Sequence, residues 1–192
     1  VEIGDTPAIE VIAEDACLND NVVLQALVSN AGTGYTVTWT ATPSASAAGL
    51  TTTTGERITV TPTTSDTYTY TATVHANSCG TSGEFTISDN ETITIYPLPT
   101  ATVDPTVAVI NCSNNGEVSA IAGGGVSYAW SNSVNTAENT FNTAGSYQVI
   151  VTDNNGCTGT AGIEVSSDMA EPDLTVTIAE GTSELVACRG DA

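Results

Sequence analysis

Residues Gly145–Cys157, GSYQVIVTDNNGC, constrain this chain more than any other stretch. Tyr147, Val149 and Val151 alternate with Ser146, Gln148, Ile150 and Thr152. A period of two makes a strand with one apolar face turned to a core. Asp153-Asn154-Asn155-Gly156 then supplies residues that accept turn conformations, and Cys157 opens the next strand. Upstream, Cys112, the Gly123-Gly124-Gly125 turn and an aromatic strand ending in Tyr128-Ala129-Trp130 form a matching half. Cysteine, aromatic strand, tyrosine strand, cysteine is the order of a small two-sheet sandwich pinned by one disulfide.

The same order occurs earlier in the chain. Cys17 is followed by Val22–Ala26, then by Thr36–Trp39, then by the tyrosine strand Thr67–Val74, then by Cys79. Thr64-Ser65-Asp66-Thr67-Tyr68 aligns with Thr143-Ala144-Gly145-Ser146-Tyr147. The spacings differ by amounts that loops absorb. Two diverged repeats make a tandem array of all-β sandwich domains. The first spans 1–97, the second 98–170, and 171–192 carries the first strands of a third. Pro97-Leu98-Pro99 marks a short, stiff joint. The last strand of the first domain is expected in two pieces, Phe85–Ile87 and Thr92–Tyr96, broken by a bulge at Ser88–Glu91. Threonine-rich alternation with no long 3.6-residue period leaves no place for a helix.

Five cysteines in 192 residues fit an oxidising compartment. Among the connectivities that sequence leaves open, the motif spacing favours Cys17–Cys79 and Cys112–Cys157. Cys188 is then unpaired in this stretch and opens the third repeat. A zinc site is disfavoured, because there is no C-x₂-C pair and His75 is the one histidine. The formal net charge is −20, with Arg57 and Arg189 the two basic residues. Such a balance disfavours nucleic acid and anionic membrane surfaces as partners, since both need clustered Lys and Arg. Hydrophobic residues still make up 40 % of the chain, so it is no disordered acidic tail. No apolar run reaches the length of a membrane span. The chain starts at Val1 and shows no signal peptide. With Cys188, this reads as a piece of a longer secreted or surface polypeptide.

The motifs Tyr-x-Trp, Ala-Gly-x-Tyr-x-Val-x-Val-x-Asp-x-x-Gly-Cys and Cys-x-Asn-x-x-x-Val carry a resemblance. They resemble the Ig-like and PKD-like repeats, the SprB-like repeats, of giant surface adhesins from gliding bacteria. The second domain carries the stronger match, through Cys112, Tyr128, Trp130, Gly145, Tyr147, Asp153, Gly156 and Cys157. The first is similar to the longer Ig-like repeats of the same proteins and departs from the short pattern in its spacings. The resemblance implies tandem antiparallel Greek-key sandwiches, type IX secretion, surface display and a role in adhesion or gliding. It carries over no catalytic residue. Its implied partners are neighbouring repeats, other copies in a fibre, and a surface or polysaccharide.

Other features were weighed against plainer readings. Trp39 and Trp130 have the chemistry of sugar-stacking platforms, but each sits inward in an alternating strand and reads as core. Tyr68, Tyr70, Tyr128 and Tyr147 read as core or corner tyrosines. Asp153, Asp89 and Glu91 have the oxygen ligands calcium needs, yet without the further acidic residues of an EF-hand an ordinary turn is the leading reading. No other cofactor is indicated. Thr67, after Asp66, loosely matches a bacterial O-glycan site. Arg189-Gly190-Asp191 reads as a chance tripeptide. A single histidine and no G-x-S-x-G motif argue against an enzyme. The alternative to an adhesin segment is a carbohydrate-binding accessory module of a secreted multidomain enzyme, which would need exposed aromatics.

Overall fold

The computed structural model describes residues 6–77 and 84–169. Cys79, Cys188, the tripeptide at 189–191 and the expected third repeat lie outside the described residues. The first domain runs β1 (Ala8–Ile12), β2 (Ala16–Cys17), β3 (Val22–Ser29), β4 (Thr36–Thr42), β5 (Arg57–Val60), β6 (Thr67–Asn77) and β7 (Glu84–Tyr96). The second runs β8 (Thr102–Asp104), β9 (Val107–Asn111), β10 (Val118–Gly123), β11 (Ser127–Trp130), β12 (Glu138–Phe141), β13 (Gly145–Thr152) and β14 (Thr158–Asp168).

Each domain faces a three-stranded sheet with a four-stranded one. The orders are β1-β3-β5 with β2-β7-β6-β4, and β12-β10-β8 with β11-β13-β14-β9. The two topologies are the same. All pairs are antiparallel except one in each domain, β2 with β7 and β9 with β14. Those parallel pairs arise because the chain begins in one sheet and then crosses to the edge of the other. This is the arrangement of an immunoglobulin-like sandwich, with β3 and β6, or β10 and β13, in the places of strands B and F.

Alternation puts the apolar faces together. β3 is buried at Val22, Leu24 and Ala26 and exposed between them. β6 turns Tyr68, Tyr70, Ala72 and Val74 inward. The second core gathers Val103, Ile110, Ala120, Ala122, Trp130, Phe141, Val149, Val151, Ile163 and Val165. It is separate from the core around Trp39 and Leu24 in the first domain. Two independent cores define two domains.

Matching polar contacts fix matching positions. Trp39 Nε1 donates to the Gly55 carbonyl at 2.7 Å, and Trp130 Nε1 to that of Thr136 at 2.9 Å. Tyr68 donates to the Thr64 carbonyl at 3.2 Å and Tyr147 to that of Thr143 at 3.0 Å, the same four-residue reach in both domains. These are the corner tyrosines at the start of strand F.

Two local expectations need correction. β7 is one unbroken strand, paired with β6 residue for residue from Thr67↔Thr94 to Asn77↔Glu84. No bulge interrupts Ser88–Glu91, because eleven residues of β6 match it in register. The polar stretch is accommodated in the strand, and Asp89 Oδ2 accepts the Val11 amide at 2.8 Å. One helical turn also occurs, a 3₁₀ turn at Cys112–Asn114. Asn111 caps it, accepting from the Ser113 and Asn114 amides at 2.9 and 3.2 Å.

Tyr70 gives a pH prediction. Its hydroxyl donates to the Ala48 carbonyl at 2.6 Å. Burial, and then the neighbouring Tyr68, push its pKa up to about 12. An unfolded tyrosine ionises near about 10, so this stabilisation is whole below that pH and is lost as pH rises through about 12. Alkaline absorbance titration should show a late-ionising tyrosine whose transition coincides with unfolding of the first domain. Tyr70→Phe should remove that class and lower stability by about 1 kcal/mol. Ionisation of all six tyrosines in a single step near the ordinary value would contradict this account.

Candidate functional site at the joint between the domains

β2 brings the chain to the end of the first domain. Cys17 pairs in register with Tyr96, the last residue of β7, and the Leu18 amide donates to the Tyr96 carbonyl at 2.9 Å. Asp15 fixes the same end. Its Oδ1 accepts the Thr94 amide at 2.7 Å and its Oδ2 the Tyr96 hydroxyl at 3.0 Å. That hydrogen bond, more than the charge of Asp15, raises the pKa of Tyr96.

The other wall is the hairpin between β13 and β14. Asp153 Oδ1 accepts the amides of Asn155 and Cys157, both at 2.9 Å, and the Asp153 amide donates to the Cys157 carbonyl at 2.9 Å. Gly156 takes φ +86°, a left-handed conformation that glycine adopts freely. The closed turn holds Cys157 buried and aimed at the first domain.

Cys17 and Cys157 form a disulfide, with a Cα–Cα distance of 5.6 Å across 140 residues of sequence. This corrects the pairings Cys17–Cys79 and Cys112–Cys157. The reason is position along the strands. A bond between the sheets needs inward cysteines on strands B and F, but those places hold Val22, Leu24 and Ala26 against Tyr68, Tyr70, Ala72 and Val74. In the second domain they hold Ala120 and Ala122 against Val149 and Val151. Cys17 lies at the end of β2 and Cys157 just before β14, where the two domains meet. Cys112 is exposed and has no disulfide partner among the described residues.

The linker is wedged into the same joint. Gly159 in β14 lies against the Pro99 carbonyl, and Gly124 after β10 against the Thr100 carbonyl. A Cβ at either position would overlap that oxygen, so glycine is required for the linker to approach. Beside the bridge is an open cleft of about 450 Å³, lined by Asp15, Ala16, Cys17, Asp20, Asn21 and Tyr96 from one domain and Asn155 from the other.

The remaining sequence-derived residues do not gather here. Trp39, Tyr68, Tyr70 and Trp130 are buried. Tyr128 and Tyr147 are half-buried against the second core. Sequence reasoning missed Phe141, 2 % exposed, which packs edge-on to Trp130 at 5.6 Å and tilted on Tyr147 at 4.5 Å. Its signal was alternation with the exposed Thr140, which puts it on one face with Asn139, itself buried and paired with Asn132 through both amides at 2.9 and 3.3 Å. Of the calcium candidates, Asp153 is engaged in its turn, and Asp89 and Glu91 lie within β7 in the other domain. Among the described residues no three His, Cys, Asp or Glu side chains cluster as a metal site. Thr67 is exposed at the start of β6. No helix of the described residues is long and apolar enough to cross a membrane.

No protein-family model and no curated protein matches this sequence. Several solved structures are similar to it. One is the three N-terminal domains of the highly immunogenic outer capsid protein of bacteriophage RB49, at 16 % identity and a TM-score of 0.37 over 84 % of this chain and 59 % of that one. Another is the SGBP-B protein of a Bacteroides ovatus mixed-linkage glucan utilization locus, in complex with a heptasaccharide. It has 16 % identity and a TM-score of 0.34, over 84 % of this chain and 47 % of that one. A third is the first two Ig domains of DIP-gamma, at 8 % identity and a TM-score of 0.35 over 88 % of this chain and all of that one. The chain thus spans about half the length of the first two.

The joint predicts a peptide map. Proteolysis without reduction, after blocking free thiols, should release one fragment linking Cys17 to Cys157. Cys17→Ser should leave both domains folded, because their cores are separate, while widening the distribution of distances between labels placed on the two domains. Recovery of a Cys17–Cys79 fragment would overturn the joint as described.

Proposed function

We propose that this chain is a structural segment of a secreted bacterial surface adhesin or extracellular fibre, of the type IX-secreted kind that serves adhesion or gliding. The observation that carries this reading is the joint. Two domains of one topology are fastened end to domain end by a disulfide and a wedged proline linker, which suits a load-bearing spacer. The aromatics support it too. Trp39, Tyr68, Tyr70, Trp130 and Phe141 are buried, so few of the aromatic anchors that dominate tight interfaces or stack on sugars face solvent. The charge of −20 keeps neighbouring fibres apart and soluble. In this reading the chain catalyses nothing and needs no cofactor, and ligand recognition belongs to other parts of the adhesin or to many weak contacts.

Small-angle scattering tests the spacer. The oxidised chain should give an elongated particle whose maximum dimension is unchanged between low salt and about 0.1 M salt, where the screening length is about 10 Å. A compact particle, or micromolar binding to one defined glycan on an array, would favour the carbohydrate-binding module instead. The melting temperature should be equal in chelator and in millimolar calcium. A rise with calcium would, by linkage, assign a metal site and recast the acidity as ligand chemistry.

A further inference from the structure

Cys17 has a counterpart in the second domain. It lies in the short strand that runs parallel to the last strand of its domain, paired with Tyr96 at that strand's end. In the second domain the corresponding parallel pair ends at Asn111↔Asp168, and the next residue is Cys112. Both cysteines therefore leave the same sheet edge at the same end of the sandwich. Both are held in a tight turn. The Asp20 amide donates to the Cys17 carbonyl at 3.0 Å, and the Asn111 cap fixes the turn that begins with Cys112. Asn114 tightens that turn further, its Oδ1 accepting the Asn111 amide at 2.9 Å and its Nδ2 donating to the Val109 carbonyl at 2.7 Å. Cys17 is bridged to the next domain, whereas Cys112 is exposed.

The partner cysteine is repeated as well. Cys157 lies ten residues after the corner Tyr147, between β13 and β14. Cys79 lies eleven residues after the corner Tyr68, in the sequence that connects β6 to β7. Each domain thus contributes one cysteine at the parallel-strand end and one in the connection between its last two strands. The linkers match in sequence. Thr102-Val103 follows Tyr96 by six residues, and Thr175-Val176 follows Asp168 by seven, the same one-residue offset that separates Asn111 from Cys112.

We propose that Cys112 is half of a second joint disulfide, closed onto the cysteine between the last two strands of the module that follows, as Cys17 is closed onto Cys157. Bond formation removes two protons and two electrons from two thiols. A disulfide oxidant of the oxidised-glutathione class accepts them. The Cys112 thiolate attacks one sulfur of the oxidant and releases a thiol. The partner thiolate then attacks the Cys112 sulfur of the mixed disulfide and releases the second thiol.

The inference rests on modules following one another in an array, and not on what the array adheres to. The full chain tests it, with one chain standing in for the next module. Cys79→Ser/Cys188→Ser leaves Cys112 as the thiol outside the joint, and Cys112→Ser/Cys188→Ser leaves Cys79. Peptide mapping first verifies that Cys17–Cys157 is intact in both, which separates pairing from misfolding. The two variants are then mixed at equal concentration in a glutathione redox buffer. Head-to-tail docking is a heterologous contact, so the Cys112–Cys79 dimer should exceed either self-paired dimer by about tenfold or more. Random pairing gives only about a twofold excess, and that result would overturn the proposal, as would dominant self-pairing or no mixed dimer while both thiols react with glutathione. An elongated particle in scattering together with random pairing would sink this inference and leave the spacer reading standing.

Discussion

Among the described residues no disulfide joins the two sheets of either domain, and side-chain packing holds most of each sandwich together. The places where an intersheet disulfide would sit carry Leu24, Tyr70, Ala120 and Val149, all buried. Full burial of a large apolar side chain contributes roughly 1.5–3 kcal/mol, so a cluster such as Trp39, Leu24, Tyr68, Tyr70 and Ile93 replaces a covalent pin several times over. The buried polar ends of these aromatics are satisfied by carbonyls one turn or one loop away, which removes the desolvation cost of placing Trp and Tyr there. Because the described cores close without a disulfide, Cys17 and Cys157 serve the ends of the domains.

Strand order and core faces were legible because a period of two leaves a clear trace. The run Tyr147, Val149, Val151 and the run Tyr68, Tyr70, Ala72, Val74 could face only one way. The disulfide was misread because its cysteines have the right order for a pinned sandwich. The spacing held the correction. An intersheet cysteine follows the corner tyrosine by two residues, where this chain has Tyr70 and Val149. Ten residues beyond Tyr147, at about 3.3 Å each, is a strand length away, at the opposite end of the domain. What no periodicity could give is the domain that meets Cys157 there, since that depends on the linker's path past Gly124 and Gly159.

Two of the three calcium candidates, and Asp15 with them, serve the backbone. Asp15 takes the Thr94 amide, Asp89 that of Val11, and Asp153 those of Asn155 and Cys157. Hydrogen bonds to a charged group contribute roughly 1.5–3 kcal/mol, so these carboxylates help hold a strand crossing and a turn. The Asp89 bond matters most to the topology. It joins β1, which belongs to the three-stranded sheet, to β7 in the four-stranded one, near where the chain changes sheets. The sequence showed a carboxylate in a polar run, and only the register of β7 showed which amide lay opposite.

The joint explains how so acidic a chain keeps a fixed geometry. A five-residue linker between Tyr96 and Thr102, even one stiffened by Pro97 and Pro99, is a single attachment, and contacts between domains of one chain are ordinarily small and permissive. Charge works against a fixed bend. Asp15 and Asp20 lie on the same cleft as Asn155, two residues after Asp153 in sequence. A pair of like charges at about 10 Å in water repels by only about 0.4 kcal/mol, and salt screens it further, so electrostatics alone would leave the angle dependent on the medium. The Cys17–Cys157 bond is a second attachment, made from a different strand of the first domain and a different loop of the second. Two covalent connections on separate elements leave no single pivot, and the wedged linker backbone blocks rotation about the line between them. Tension along the chain then passes through both connections at once. The joint cannot lengthen until β2 is peeled from β7 or the β13–β14 hairpin is pulled from its sheet, so its stiffness is set by strand pairing rather than by the domain interface.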